Sequence, residues 1–169
     1  MDRQAEFLRM QRPLKEKYRS EPGSSRITLR ARGSQSDAPI SCSVDIGRAV
    51  YEAQAHAGVG GAGTAACSGD LLLGALAACA QVTCQMVAEA MGIEAKHIEV
   101  EVEGELDLAG TLGVSREVPV GFERIRTRFD IVAPTATEEQ LDDLRRKTER
   151  YCVVFQTLTR PPELETEWA

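Results

Sequence analysis

The stretch that decides the fold extends from Ser68 to Gly92 and reads S-G-D-L-L-L-G-A-L-A-A-C-A-Q-V-T-C-Q-M-V-A-E-A-M-G. Ser68 is a favourable N-cap residue, and Asp70 puts a carboxylate in the first turn, where the helix dipole stabilises it. Gly92 is the residue type that ends a helix in the left-handed conformation. These signals predict one long helix.

The predicted helix is apolar on all sides in its first half, from Leu71 to Ala80. Such a helix is either a membrane span or the centre of a core. The apolar run is shorter than the roughly 18 residues of a span and has no Lys or Arg beside it, so we interpret it as a core helix. Helical spacing predicts one buried face with these residues: Leu72, Leu76, Cys79, Thr83, Met86 and Ala90.

Composition indicates a soluble protein with one domain. The chain has 169 residues, of which 27% are charged and 43% hydrophobic, and its net charge of -6 argues against nucleic acid or an anionic membrane as a partner. Residues 1–11 are charged without an apolar segment, so we expect no secretory signal and a cytoplasmic protein. Residues 1–25 are predicted to be a polar arm interrupted at Pro13, and residues 26–169 the domain.

The cysteines and histidines predict neither a disulfide framework nor a metal site. Five cysteines form an odd set without short repeated spacing, and there are only two histidines. A single buried cysteine usually acts as a small hydrophobe, which is the ordinary interpretation of Cys42. Cys67, near the helix start, is interpreted as a loop residue, and the alternative is a thiol that forms a disulfide with another cysteine. Cys84 lies roughly 140° around the helix from Cys79, so these two thiols are not expected to meet.

Alternation with period two predicts strands on both sides of the long helix. The acidic residues of the predicted strand 97–108 would face the arginines of the predicted strand 122–132 in an antiparallel sheet. These arginines therefore do not indicate nucleic-acid binding. Gly104 suggests a bulge. The predicted strands are 27–32, 40–45, 48–53, 97–108, 122–132 and a closing strand at 164–168.

A second helix is predicted to begin with the capping box Thr137-Glu138-Glu139-Gln140 and to end before Pro161. Cys152 faces the core side of this helix, as Cys79 does on the first. The order of elements predicts an α+β fold with antiparallel sheet covering a central helix.

The glycines of residues 58–63 match G-x-G-x-x-G, which raises the possibility of dinucleotide binding. In that fingerprint the glycines themselves open the helix, whereas here the helix begins only near Ser68, and no suitably spaced acidic residue follows. We therefore interpret this stretch as a flexible connection. His56, just before it, is interpreted as an ordinary loop histidine.

Three segments together resemble the OsmC/Ohr family of osmotically inducible protein C and organic hydroperoxide resistance proteins. They are D-L-L-L-G-A-L-A-A-C-A at residues 70–80, G-E-L-D-L-A-G-T-L-G-V at residues 104–114 and E-R-Y-C-V-V at residues 149–154. The resemblance implies an intertwined homodimer in which sheets from both chains wrap two central helices. A second chain would also explain how so apolar a helix is covered.

The resemblance also implies a thiol peroxidase that reduces organic hydroperoxides without a metal or organic cofactor. Cys79 would attack the peroxide, Cys152 would resolve the sulfenic acid as a disulfide, and an external dithiol of the lipoyl type would reduce it. The family uses an arginine paired with a glutamate to activate the first thiol. Here the arginine candidates are Arg48 and Arg32, and Asp70 stands close to the glutamate's usual position.

Two departures from the family pattern favour an alternative function. Ser68-Gly69-Asp70 replaces the family's P-E dipeptide, and Cys152 precedes Val153 instead of proline, which predicts that the second helix continues without a kink. The alternative is a module that binds or senses small apolar or electrophilic molecules in the dimer cleft. A third interpretation is a structural dimer with inert buried thiols.

Overall fold

The structure, a computed structural model, describes residues 3–35, 42–45, 55–61 and 66–168; the strands at 27–35 and 42–45 are described by their backbone alone. The predicted strand at 48–53 lies outside the described residues. In chain order the elements are α1 (Arg3–Ser20), β1 (Arg26–Gln35), β2 (Cys42–Asp45), α2 (Ser68–Ala90), β3 (His97–Asp107), α3 (Leu108–Thr111), β4 (Arg124–Val132), α4 (Glu138–Tyr151) and α5 (Val153–Thr159).

The four described strands form one antiparallel sheet in the order β2-β1-β3-β4. The acidic residues of β3 pair with arginines of β4, as predicted: Glu101 lies 2.9 Å from Arg128 and Glu103 lies 3.9 Å from Arg126. The arginines are mostly exposed, so such pairs contribute only about 0.2–1 kcal/mol each and mainly fix the register.

Gly104 does not form the predicted bulge. It is paired continuously with Leu29 of β1 and Ile125 of β4, so β3 is one uninterrupted strand. A Cβ atom at this position would collide with the ring of Phe122 and lie 3.1 Å from Leu73. Glycine is therefore suited to this position by close packing across the strand and not by an irregular backbone.

Helix α2 packs one side against the sheet. Its N-cap is Cys67, one residue before the predicted Ser68, and Gly92 has the expected positive φ of 66°. Its most apolar stretch has the length and composition of a membrane span, but more than half of that stretch is buried within the chain, as in a core helix. The core cluster that joins this helix to the sheet and to Cys152 includes Leu73, Leu76, Ala77, Ala80, Val100 and Val102.

The face of α2 that was predicted to be buried is largely open. Leu76 is buried, but Leu72 and Met86 are 39% and 51% exposed, and Cys79 is half-buried between them along the helix. Because apolar residues surround the first half of α2, their spacing cannot distinguish the side that the sheet covers from the side that it leaves open.

The second predicted helix begins as expected but is interrupted. Thr137 and Gln140 form the reciprocal capping box, with hydrogen bonds of 2.9 and 3.2 Å. Cys152 then adopts an extended conformation, with φ −71° and ψ 107°, and separates α4 from α5. The prediction of a continuous helix is therefore wrong.

The predicted closing strand at 164–168 is not formed. Residues 161–168 have no regular secondary structure, and Leu164 and Trp168 are 86% and 92% exposed. Alternation alone does not make a strand, because a strand also needs a neighbouring strand to supply hydrogen bonds.

The N-terminal segment is one helix that continues through Pro13. The predicted interruption at Pro13 is therefore wrong. The helix is attached to the domain through Tyr18, which is buried and donates a hydrogen bond of 2.6 Å from its hydroxyl to the carbonyl of Gly58. A Cβ atom at Gly58 would collide with Leu108 and lie 3.1 Å from the Tyr18 hydroxyl. Close packing thus accounts for this glycine without a nucleotide.

Candidate active site

Cys79 and Cys152 come together where α2 meets the junction of α4 and α5. Helix α2 contacts both of the later helices, and the two cysteines pack in the same core cluster. Their thiols are free, and each affects the pKa of the other. The structure therefore brings together the two cysteines that the sequence singled out.

The surroundings of Cys79 favour its thiolate. Burial raises the pKa of this thiol, but the backbone N–H of Val154, the thiol of Cys152, the hydroxyl of Thr83 and the N–H of Val153 lower it by more, so its pKa lies below the ordinary value. The Thr83 Oγ1 atom is 3.9 Å from Cys79 Sγ. Hydrogen-bond donors directed at an ionised sulfur are a general way to make a cysteine nucleophilic.

Cys152 has the opposite electrostatics. It is only 1% exposed, and burial together with the neighbouring Cys79 raises its pKa to about 11, despite the N–H groups of Phe155 and Val154. At neutral pH Cys152 is therefore a protonated thiol. The pair thus consists of one thiol suited to ionise and one suited to remain protonated.

Asp70 serves the start of α2. Its Oδ2 atom accepts a hydrogen bond of 2.7 Å from the backbone N–H of Cys67. Cys79 follows nine residues later, which corresponds to about 13 Å along a helix axis. The described residues therefore do not bring Asp70 to Cys79.

The two candidate arginines differ in position. Arg48 lies outside the described residues. Arg32 is described by its backbone, which is paired with Glu101 in the register of β1 and β3. Residues directly opposite each other share a face of the sheet, and Glu101 alternates with Val100 and Val102, which pack against α2. Register position 32 therefore belongs to the face turned away from α2.

The remaining described cysteines are separate from the pair. Cys84 packs in a second core cluster with Leu144, and burial, only partly offset by Thr148, raises its pKa to about 11. Cys67 is buried at the start of α2, and burial raises its pKa as well. His56 accepts a hydrogen bond of 2.9 Å at Nδ1 from the N–H of Gly58, as expected of a loop histidine.

One group of potential metal ligands exists among the described residues, although the sequence predicted none. His97, Glu99 and Asp130 present ligand atoms within 4.8 Å of one another on the neighbouring strands β3 and β4. Glu99 and Asp130 are simply opposite each other on β3 and β4, and His97 lies 3.5 Å from Glu99. Exposed carboxylates commonly meet in this way, and the group does not include the thiol pair.

An apolar groove is lined by residues that lie close in sequence to the two cysteines, although neither cysteine lines it. It has a volume of about 460 Å³ and is lined mainly by side chains from α2, β4 and α5. Leu76 lies about one turn before Cys79, and Phe155 lies three residues after Cys152. The main apolar residues of the groove are Leu72, Leu76, Phe122, Ile125, Phe155 and Leu158.

A family model for OsmC-like proteins matches residues 61–167. The chain belongs to the OsmC-like family. The crystal structure of an OsmC-like hydroperoxide resistance protein from Jannaschia sp. CCS1 superposes with a TM-score of 0.61 at 16% identity, over 83% of this chain and 91% of that one. No curated protein sequence matches the chain. The resemblance and the α+β OsmC-like fold predicted from the sequence are thus confirmed.

Sequence reasoning missed the groups that surround Cys79. Thr83 is one helical turn after Cys79, so its position was a usable signal. The N–H groups of Val153 and Val154 gave no signal, because every residue except proline carries one and only the break at Cys152 directs these two at the thiol.

The environments of the thiols predict a fixed order of alkylation. In the reduced protein, iodoacetamide should modify Cys79 at a lower pH than Cys152 or Cys84, because only Cys79 has a lowered pKa. As pH falls through that pKa, the thiolate is protonated and the rate at Cys79 should decrease. Peptide mass spectrometry after timed labelling measures each site, with Cys84 as the buried internal control. Faster labelling of Cys152 than of Cys79 would contradict the assignment.

Proposed function

We propose that the chain is a thiol-dependent peroxidase that reduces organic hydroperoxides through Cys79 and Cys152. The observation that carries the proposal is that Cys79 and Cys152 pack in one core cluster where α2 meets α4 and α5. The surroundings lower the pKa of Cys79 and raise that of Cys152, which supports different roles for the two thiols. Membership of the OsmC-like family supports it, as does similarity to a protein described as a hydroperoxide resistance protein.

The proposed cycle begins at the Cys79 thiolate. Its sulfur attacks the distal peroxide oxygen, an S–O bond forms, and the O–O bond breaks. The sulfur loses two electrons to the peroxide, and the departing alkoxide takes up a proton to become an alcohol. Cys79 is left as a sulfenic acid.

Cys152 completes the oxidative half. Its thiol attacks the sulfenic sulfur and loses its proton, the S–S bond forms, and the hydroxyl group leaves as water. An external dithiol, of the lipoyl type according to the family resemblance, then reduces the disulfide and becomes a disulfide itself. Thiols supply all the electrons, so the proposed cycle needs no metal or organic cofactor.

The apolar groove favours an organic peroxide as substrate. An apolar lining gains free energy by removing hydrocarbon from water, at about 25 cal/mol per Å² buried, whereas hydrogen peroxide offers no such surface. We therefore expect a bulky apolar hydroperoxide to be reduced better than hydrogen peroxide.

The activating pair of arginine and carboxylate stays a prediction in this proposal. The register position of Arg32 favours Arg48 as the arginine, and the capping role of Asp70 weakens its case as the carboxylate. If no arginine approaches Cys79, the N–H groups and the hydroxyl beside the sulfur are its remaining activators. That outcome would favour the alternative, a module that binds apolar or electrophilic molecules without turnover.

We further propose a cytoplasmic homodimer. Free thiols suit a reducing compartment. Leu72 and Met86 are exposed on the same side of α2 as the half-buried Cys79, and an exposed apolar stripe of this kind is typical of an interface.

Sedimentation equilibrium should give twice the mass of the chain, and Met86→Glu should shift the population toward monomer. A wild-type protein that stays monomeric at high concentration would contradict the dimer.

Steady-state turnover tests the function. With dihydrolipoamide as reductant, the wild type should reduce cumene hydroperoxide faster than hydrogen peroxide, and Cys79→Ser should fall to the uncatalysed rate because the nucleophile is lost. Cys84→Ala is the matched control, since it removes a buried thiol of the same helix outside the pair. Wild-type turnover equal to that of folded Cys79→Ser would contradict a peroxidase and favour the binding module.

A further inference from the structure

The interruption at Cys152 occurs without a residue that would force it. A continuous helix would pair the N–H of Val153 with the carbonyl of Glu149 and the N–H of Val154 with the carbonyl of Arg150. Neither valine lacks an N–H, and the interruption contains no glycine. A contact that competes with the helical hydrogen bonds would account for the interruption.

That contact comes from Gln156. Its side-chain Nε2 donates a hydrogen bond of 2.8 Å to the carbonyl of Glu149, the acceptor that Val153 would use in a continuous helix. Its backbone N–H donates to the carbonyl of Cys152 at 2.9 Å. Gln156 thus binds the last turn of α4 with its side chain and the first turn of α5 with its backbone.

We propose that Gln156 is a positioning residue for Cys79: by occupying the Glu149 carbonyl it keeps the helix interrupted and leaves the N–H groups of Val153 and Val154 directed at the Cys79 sulfur. The interruption also holds Cys152 beside Cys79. The use of the resulting thiolate rests on the proposed peroxidase function, but the positioning itself is a property of the resting protein and can be measured without peroxide.

Gln156→Leu removes the amide donor while keeping an apolar stem. The Glu149 carbonyl then becomes available to Val153, and the N–H groups turn back along the helix. The pKa of Cys79 should rise by about one unit, which slows alkylation about tenfold at a pH below that pKa. The measurement is the pH profile of iodoacetamide labelling at Cys79, read by peptide mass spectrometry on the full chain.

Thr159→Ala is the matched control. Thr159 Oγ1 also donates to backbone carbonyls, that of Phe155 at 3.0 Å and that of Gln156 at 3.3 Å, but these hydrogen bonds lie within α5 and do not cross the interruption. Its removal should leave the pH profile of Cys79 unchanged. Circular dichroism on each variant verifies that the fold is retained.

A double variant tests the mechanism by rescue. Gln156→Leu combined with Val153→Pro places proline after Cys152, where it has no N–H for Glu149 and clashes with a continuing helix. The extended Cys152 suits a residue before proline, and proline is favourable at a first helical position. The pKa of Cys79 should return most of the way to its wild-type value, because the N–H of Val154 is retained.

Two outcomes would overturn the proposal. One is a folded Gln156→Leu protein whose Cys79 profile equals that of the wild type, and the other is a raised pKa that proline at 153 does not restore. If Gln156→Leu fails to fold, Gln156→Asn takes its place. It keeps the amide but is one methylene too short to reach Glu149, so the same rise in the pKa of Cys79 is expected. Loss of peroxidase turnover with normal thiol profiles would contradict the function and leave this inference standing.

Discussion

Helix α2 packs against the sheet through leucine side chains near its start. Leu73 and Leu76 are almost fully buried, and burial of a leucine side chain contributes about 1.5–3 kcal/mol. This packing fixes the rotation of α2 and therefore the direction of every other residue on it. Cys79 is directed toward α5, at the edge of the side that the sheet leaves open.

Cys152 reaches Cys79 because the second helical segment bends at that residue. Leu144 and Thr148 are buried on α4, where α2 is its neighbour, so the chain arrives at Cys152 already close to the first thiol. The extended conformation of Cys152 then separates the two segments. One local change of backbone conformation thus positions the second cysteine and directs backbone N–H groups at the first.

The sequence was sufficient for the long helix, for the strands β1 to β4 and for singling out the two cysteines that the structure brings together. Each depends on local signals, such as the capping box at Thr137 or the alternation along β3, that the structure retains. The sequence was not sufficient for the open side of α2, because a helix apolar on all sides does not reveal which side its neighbours cover.

The interruption at Cys152 and the irregular C-terminal segment were also missed, for a different reason. Both depend on which hydrogen-bond partner a backbone group finds. That partner can be distant in sequence, or it can be a side chain, as Gln156 is for the Glu149 carbonyl. Propensity and spacing carry no information about such competition. The candidate site was therefore predictable as a pair of cysteines, but the groups that tune them were not.

Mass spectrometry of the reduced protein after one equivalent of cumene hydroperoxide tests the paired action of the two thiols. We expect a disulfide between Cys79 and Cys152 as the main product, with Cys84 unmodified, because the sulfenic acid forms beside a protonated thiol that can capture it. Stable oxidation of Cys79 without a disulfide, or a disulfide that involves another cysteine, would contradict it.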